Sequence, residues 1–256
     1  MIRVAAVGDI HVAADGAERL RAEFADVADH ADVLLLAGDL TRLGTIEEAA
    51  AVAEGLTAVG VPTFAVLGNH DYQSNLQDDV SELLGAANVG VLEGDGVTVD
   101  VHGERIGVAG VKGFGCGFIG LCATEFGEPE MKAFVHHAQD AGAELARALG
   151  EIDAERVICL THYAPSESTL DGEPPQIHPF LGAYQLGEAI DSDGRVVLAV
   201  HGHAHRGVEI GSTAGGAHVR NVARPVIKSA YRVYCLGSGR EIETFAPRDR
   251  SLTLRS

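Results

Sequence analysis

The sequence predicts an α/β fold in which a largely buried β-sheet is flanked by helices. Short apolar runs rich in β-branched residues and leucine alternate with segments of helical period in the N-terminal part of the chain. Apolar runs without polar alternation are typical of strands buried on both faces, as in parallel sheets. The predicted order is strand, helix, strand, helix, strand over 2–7, 16–28, 33–37, 46–58 and 61–67.

The pattern changes after residue 88 and then returns to βα alternation. Short strands separated by glycine-containing turns predict antiparallel pairing over 89–92, 97–101 and 106–111. The remaining predicted elements are a Gly- and Phe-rich stretch over 113–127, a long helix over 128–149, a strand over 156–160, a proline-rich loop over 163–180, a helix over 181–190, a strand over 196–200 and meander strands over 207–245.

Length and composition indicate one compact unit. A chain of 256 residues with 46% hydrophobic residues can bury a substantial core, and we expect a single domain over 1–256. Residues 112–153 are predicted to be a loop-plus-helix elaboration near the functional site. Since the four cysteines form no C-x-x-C pair, we expect buried free thiols and a reducing compartment.

Charge and hydropathy exclude several classes of function. With 37 acidic and 19 basic residues, the formal charge of −18 disfavours stable binding of duplex nucleic acid and is typical of a solvated, soluble surface. The first apolar run is interrupted at Gly8-Asp9, too early for a secretory signal, and no apolar run approaches about 20 residues. We therefore expect a cytoplasmic protein without a membrane span. The sequence carries no readable trace of oligomeric state.

Five segments rich in Asp, Asn and His each follow a predicted strand directly. They are Asp9-Ile10-His11, Gly38-Asp39, Gly68-Asn69-His70-Asp71, Thr161-His162 and His201-Gly202-His203-Ala204-His205. Because open α/β sheets place their ligands at the carboxyl ends of the strands, all five segments can converge at one edge. Each alone is often only a polar turn, but their combination in this order is far rarer than any one of them.

The residue types in these segments predict a metal site. Carboxylate, amide and imidazole groups are the ligands of divalent transition metals, and strand ends hold them rigidly enough to place two cations close together. A carboxylate such as Asp39 can bridge two cations and offset their mutual repulsion.

In order and residue type, the segments resemble the calcineurin-like metallophosphoesterase superfamily. Its pattern runs D-x-H, G-D, G-N-H-D/E, H and G-H-x-H, and every element is present between Asp9 and His205. The resemblance implies a four-layer αββα sandwich of two mixed β-sheets flanked by helices. It also implies a metal-dependent hydrolase of phosphate esters, whose nucleophile is a metal-bridging hydroxide formed because coordination lowers the pKa of water from about 15.7 to about 7.

The resemblance also implies a role for each residue. One cation would be held by Asp9, His11, Asp39 and His205, and the other by Asp39, Asn69, His162 and His203. This mixed nitrogen and oxygen set suits two divalent or mixed-valence ions of Mn, Fe, Zn or Co. His70 would be the catalytic acid that protonates the leaving group. Asp71 is expected either to orient His70 or only to cap the turn.

The motif forms resemble the small bacterial phosphodiesterases of the cyclic-nucleotide type more than the Ser/Thr protein phosphatases, whose second motif is G-D-x-V-D-R-G. Those phosphodiesterases usually carry Asp at the position of Arg42. The favoured function is a phosphodiesterase acting on a small molecule. Alternatives are a phosphomonoesterase, a nucleotide pyrophosphatase or a non-catalytic metal-binding module. The predicted substrate contacts, with surface or packing roles as the alternative, are Arg42, Phe118, Tyr163 and His201.

Overall fold

The computed structural model describes residues 1–237 and 242–245. In chain order, its strands are β1 Ile2–Val7, β2 Val33–Ala37, β3 Thr63–Val66, β4 Val89–Val91, β5 Asp95–Val101, β6 Glu104–Val111, β7 Gly117–Phe118, β8 Leu121–Cys122, β9 Arg156–Thr161, β10 Val196–His201, β11 Ile210–Ser212, β12 His218–Asn221, β13 Arg232–Leu236 and β14 Ile242–Phe245. The α-helices are α1 Ala17–Glu23, α2 Val27–His30, α3 Ile46–Leu56, α4 Gln77–Ala86, α5 Pro129–Glu151, α6 His178–Leu181, α7 Tyr184–Asp191 and α8 Arg224–Ile227, with single 3₁₀ turns at Glu167–Thr169 and Pro175–Ile177.

Two mixed six-stranded sheets form the centre of the molecule. The first has the order β14-β13-β1-β2-β3-β4 and the second the order β11-β12-β10-β9-β6-β5. Strands β1 to β4 are parallel, as are β6, β9, β10 and β12, whereas β13, β14, β11 and β5 pair antiparallel with their neighbours. The hairpin of β7 and β8 is a separate small sheet.

Strands β1 and β2 of the first sheet have two buried faces, which explains their continuous apolar sequences. Side chains alternate across a strand. In β1, Val4 and Ala6 pack between the two sheets, whereas Ala5 and Val7 pack against the helices α1 and α3. A third apolar cluster joins the outer face of the second sheet to α5 and α7. The predicted four-layer αββα sandwich is confirmed.

Two predicted strand pairings were wrong. Strand β4 is parallel to β3, because an unpredicted helix, α4, provides the crossover that a parallel connection needs. The tail is not a meander: β12 runs parallel to β10 in the second sheet, and β13 crosses to pair with β1 in the first. The antiparallel pair of β5 and β6 is as predicted, and within the tail β11 pairs antiparallel with β12 and β13 with β14.

Two helical regions also differ from the sequence pattern. The predicted helix over 16–28 is broken into α1 and α2 around Asp26, whose carboxylate accepts a hydrogen bond of 2.6 Å from the Tyr231 hydroxyl. Within 112–153, α5 belongs to the outer helical layer, while the β7–β8 hairpin lies outside both large sheets. No helix in the described part of the chain has the length and hydropathy that a membrane span needs.

Candidate metal centre

The carboxyl ends of the parallel strands bring the predicted ligands together. Asp9 and His11 follow β1, Asp39 follows β2 and Asn69 follows β3, while His162 follows β9 and the His203 segment follows β10. Three groups have ligand atoms within 4.8 Å of one another: Asp9, His11 and His205; His11, Asp39 and His70; and Asp39, His162 and His203. His11 and Asp39 each belong to two groups, so the site is one continuous cluster.

Four of these residues have a left-handed backbone. The φ angles are 58° at Asp9, 43° at His11, 51° at Asp39 and 68° at His203. Residues other than glycine rarely adopt this conformation, and it persists where surrounding contacts impose it. Here the amides of Asp9 and His11 donate to the carbonyls of Gly38 and Asp39 at 2.9 and 3.0 Å, which links the ends of β1 and β2.

Glycines beside the ligands make room for them. A Cβ atom at Gly68 would overlap the Asp39 carboxylate, and one at Gly202 would overlap the Asp9 carboxylate. A Cβ atom at Gly38 would meet the imidazole of His162. The glycines of the G-D, G-N-H and G-H-x-H segments are therefore required by the close packing of backbone against ligand.

The first donor set surrounds the buried carboxylate of Asp9, which is only 3% exposed. His205 Nε2 donates to Asp9 Oδ1 at 2.8 Å, and the His203 amide donates to the same carboxylate. Burial would raise the pKa of Asp9, but the hydrogen bond from His205 and the nearby imidazoles hold it below its usual value. The same hydrogen bond raises the pKa of His205. His11 Nε2 completes the set, 3.9 Å from Asp39 Oδ2.

The second donor set surrounds Asp39, which is 2% exposed. His162 Nδ1 donates to the Ala37 carbonyl at 2.9 Å, which directs Nε2 toward Asn69 Oδ1 at 3.0 Å and Asp39 Oδ1 at 3.4 Å. When this imidazole is neutral, Nε2 and the amide oxygen both present lone pairs. A cation between them would satisfy both atoms, which is the arrangement expected of a metal site.

The hydrogen bonding and the protonation state of His203 also suit the second donor set. Its Nε2 donates to the Phe180 carbonyl at 3.1 Å, which leaves Nδ1 available as a ligand. Burial lowers the pKa of His203 to about 3, so the imidazole is neutral at physiological pH, the form that binds a metal. The two buried carboxylates, the amide and the four imidazoles therefore fit a dinuclear metal centre.

His70 lies at the border of this cluster and is partly exposed. Its Nδ1 donates to the Arg42 carbonyl at 2.7 Å, and its ring lies 4.6 Å from that of His11, centroid to centroid. The Arg42 loop is itself held by the buried Glu48, which accepts from the amides of Arg42 and Leu43 at 3.1 and 2.7 Å. Because Nδ1 donates to the carbonyl, Nε2 is the ring nitrogen that has no hydrogen-bond partner among the described residues.

Asp71 does not orient His70. Its buried carboxylate accepts hydrogen bonds from the amides of Leu40, Thr41 and Gly68 at 3.2, 2.8 and 2.8 Å, and from the Thr41 hydroxyl at 2.6 Å. Burial raises its pKa, and the hydrogen bonds from Thr41 and Gly68 oppose that shift. These hydrogen bonds favour the turn-capping alternative: Asp71 ties the loop after β3 to the loop after β2.

Replacing Asp71 with alanine should lower the free energy of unfolding by about 3–5 kcal/mol, because three buried amides and one hydroxyl lose their acceptor. Urea denaturation would measure the loss. The exposed Asp140→Asn variant on α5 serves as a control and should change stability by less than about 0.5 kcal/mol. A similar small change in Asp71→Ala would contradict the capping role.

Two of the predicted substrate contacts are buried side chains. His201 is fully buried, its Nδ1 donates to the Gly202 carbonyl at 2.7 Å, and its Nε2 contacts Thr169 Oγ1 at 2.8 Å. Phe118 is 5% exposed and packs in an apolar cluster with Leu170 and Leu181. Period-2 alternation placed His201 on the face of His203, but β10 ends at His201 and His203 has a left-handed backbone, so the alternation does not continue.

The other two predicted contacts lie beside the cluster. Tyr163 is mostly buried, and its ring lies 4.5 Å from that of His203 and 5.4 Å from that of His162. The exposed Arg42 contributes its carbonyl, which fixes His70.

Two charged residues at the same edge were not among the predicted site residues. Lys112 follows β6, and Glu93 comes two residues after the end of β4. Burial raises the pKa of Glu93 to about 7, against the opposing effects of the Leu67 amide and the Lys112 charge. Their positions in the sequence could have identified these two residues as candidates, because each follows an apolar strand, as the five segments rich in Asp, Asn and His do.

Comparisons with known proteins agree with this geometry. The sequence model of the family described as calcineurin-like phosphoesterase matches residues 2–207. A search of curated proteins gave no significant match. Among solved structures, the chain is similar to the phosphopantetheinyl hydrolase of Mycobacterium tuberculosis, with 14% identity, a TM-score of 0.64 and coverage of 95% of this chain and 98% of that one.

Two further solved structures share the fold. A dimetal phosphatase of Danio rerio has 15% identity, a TM-score of 0.61 and coverage of 96% of this chain and 98% of that one. The NAD nucleotidase of Haemophilus influenzae has 13% identity, a TM-score of 0.54 and coverage of 96% of this chain and 49% of that one. With the family match spanning most of its length, the chain belongs to the calcineurin-like phosphoesterase family and is a metal-dependent phosphoesterase.

Proposed function

We propose that this protein is a phosphodiesterase that hydrolyses a small-molecule substrate at a dinuclear metal centre. Asp9, His11, Asp39 and His205 would hold one cation, and Asp39, Asn69, His162 and His203 the other. The observation that carries the proposal is the position of Asp39, whose carboxylate belongs to two of the three ligand groups. The resemblance of the motifs to small bacterial phosphodiesterases favours diesters over monoesters.

Bound cations would supply an activated water and would neutralise charge on the phosphoryl oxygens. The chain's own carbonyl groups fix which ring nitrogen of each histidine carries the hydrogen. The Ala37 carbonyl fixes the tautomer of His162, the Phe180 carbonyl fixes that of His203, and the Arg42 carbonyl fixes that of His70. With its hydrogen on Nδ1, His70 would first take up a proton at Nε2, forming an imidazolium, and would then pass that proton to the leaving oxygen.

The formal charge of −18 supports a small substrate over a long nucleic acid. The cysteines support a reducing, cytoplasmic location: all four are free, and Cys116, Cys159 and Cys235 are buried. The mixed nitrogen and oxygen donors suit Mn, Fe, Zn or Co.

The protein loaded with Mn²⁺ is expected to bind about two equivalents of metal and to hydrolyse bis(p-nitrophenyl) phosphate faster than p-nitrophenyl phosphate. Elemental analysis and steady-state kinetics would check both expectations, and removal of metal by a chelator should abolish turnover reversibly. Absence of turnover of either ester by protein that holds two metals would refute the proposal. Faster hydrolysis of the monoester would assign a phosphomonoesterase.

A further inference from the structure

Lys112 extends the functional edge of the second sheet. It directly follows β6, which runs parallel to β9, so both strands end at the same edge. The Lys112 carbonyl accepts hydrogen bonds from the amides of His162 and Tyr163 at 3.0 and 3.1 Å. The position of Lys112 is therefore rigidly linked to that of a proposed metal ligand.

The ammonium group of Lys112 lies among aromatic rings. Its Nζ is 4.8 Å from the ring centroid of Tyr72 and 5.4 Å from those of Phe114 and Tyr163. It donates to the Gly113 carbonyl at 3.2 Å. Within residues 1–237 and 242–245, no carboxylate oxygen lies within 4.0 Å of it. Since an ammonium has three donors, the group retains capacity for an anionic partner.

The position of this charge relative to the metal ligands limits what it can bind. The Tyr163 ring contacts the imidazoles of His162 and His203 and also the Lys112 ammonium. The Lys112 ammonium and the proposed ligands of the second cation therefore share one neighbour, the Tyr163 ring. Lys112 is not itself among the proposed metal ligands.

Burial makes this arrangement costly without a partner. Burial lowers the pKa of Lys112, and the negative charges of Glu93 and Asp39 oppose the shift. Lys112 is one of three lysines in the chain, and Lys132 and Lys228 are exposed. A half-buried lysine without a close ion pair among the described residues fits a site for an anion that enters from outside.

We propose that Lys112 binds a second anionic group of the substrate, next to the phosphoryl group that is hydrolysed, and that the preferred substrates are diesters of diphosphate. This inference rests on the proposed phosphodiesterase function. The oxygen of water bonds to one phosphorus, and the bridging P–O bond breaks with its electron pair passing to the leaving phosphate. One proton of the water goes to each phosphate monoester formed. Lys112 would bind the charge that the second phosphate already carries in the substrate.

Two matched substrates test this preference. Bis(p-nitrophenyl) phosphate and P¹,P²-bis(p-nitrophenyl) diphosphate carry the same aryl groups and differ by one phosphate. Their hydrolysis can be followed by ³¹P NMR. The Mn²⁺-loaded protein should favour the diphosphate at least about 10-fold in kcat/KM, and Lys112→Met should reduce that preference about 10- to 100-fold, mainly through KM. Lys132→Met should leave the preference unchanged.

The outcomes separate this inference from the proposed function. Equal losses on both substrates in Lys112→Met, or no preference in the unaltered protein, would overturn the role of Lys112. Absence of turnover of both substrates by the unaltered, metal-loaded protein would count against the proposed phosphodiesterase instead.

Chemical labelling of the unaltered protein provides a measurement independent of turnover and of variant folding. Limited acetylation with acetic anhydride can be quantified at each lysine by peptide mass spectrometry. Methylenediphosphonate should slow acetylation of Lys112 at least about fivefold, whereas methylphosphonate should not, because it lacks the second anionic group. Lys132 and Lys228 report the general reactivity of the reagent. Equal labelling of Lys112 in the presence of methylenediphosphonate and of methylphosphonate would refute the second anion site.

Discussion

Replacing Asp39 with asparagine is expected to abolish binding of two metals and to lower kcat/KM for bis(p-nitrophenyl) phosphate by about 1,000-fold or more. Asparagine has nearly the same shape but lacks the negative charge. The Asp39 carboxylate lies within reach of His11 on one side and of His162 and His203 on the other. A neutral amide there would leave the repulsion between two cations without its main counter-charge.

Metal content by elemental analysis and steady-state kinetics would measure the effect of Asp39→Asn. Asp153→Asn is a matched control, because that carboxylate is 86% exposed and pairs only with Arg105 among the described residues. Thermal unfolding should show that both variants are folded. An Asp39→Asn protein that kept two metals and near-normal activity would show that Asp39 does not bridge them.

Replacing His70 with asparagine should have a different signature: metal content is retained, while kcat falls about 10²- to 10⁴-fold for substrates with an alkoxide leaving group. The asparagine amide can still donate to the Arg42 carbonyl as His70 Nδ1 does, but it has no counterpart of Nε2. The expected fall in kcat therefore measures the contribution of the proton that Nε2 would deliver.

The leaving group distinguishes protonation from simple binding of the phosphate. p-Nitrophenolate is a good leaving group that needs little protonation, so His70→Asn should affect bis(p-nitrophenyl) phosphate much less than a cyclic nucleotide. His136→Asn, at an exposed position of α5, is the control. Equal losses on both substrates would indicate that His70 binds the phosphoryl group. Loss of a metal would make it a ligand, as its proximity to His11 and Asp39 permits.

Much of the candidate metal centre could be predicted because its residues lie close in sequence to the strands that position them. Each ligand follows an apolar strand within a few residues, and parallel strands end at a common edge. Strand β2 and the residues Gly38 and Asp39 illustrate this: five buried residues, a glycine and a carboxylate, all adjacent in sequence. The convergence of the five segments then follows from the fold class.

Orientation within a segment could not be predicted in the same way. Asp71 and His70 are neighbours, yet the carboxylate turns inward to the amides of Leu40 and Thr41 while the imidazole faces the site. His201 and His203 are two residues apart, yet one is fully buried and the other is available as a ligand. These directions depend on backbone turns, including the left-handed residue His203, that periodicity does not encode.

The sequence by itself determined the fold class, the family and the set of metal-binding residue types, because apolar strand patterns and short polar segments are encoded by adjacent residues. Only the tertiary structure decided the parallel pairing of β4, the assignment of β12 and β13 to different sheets, and the position of Lys112 beside Tyr163 and Tyr72. Those features join residues distant in the chain, and their energies come from packing between elements, which no local pattern specifies.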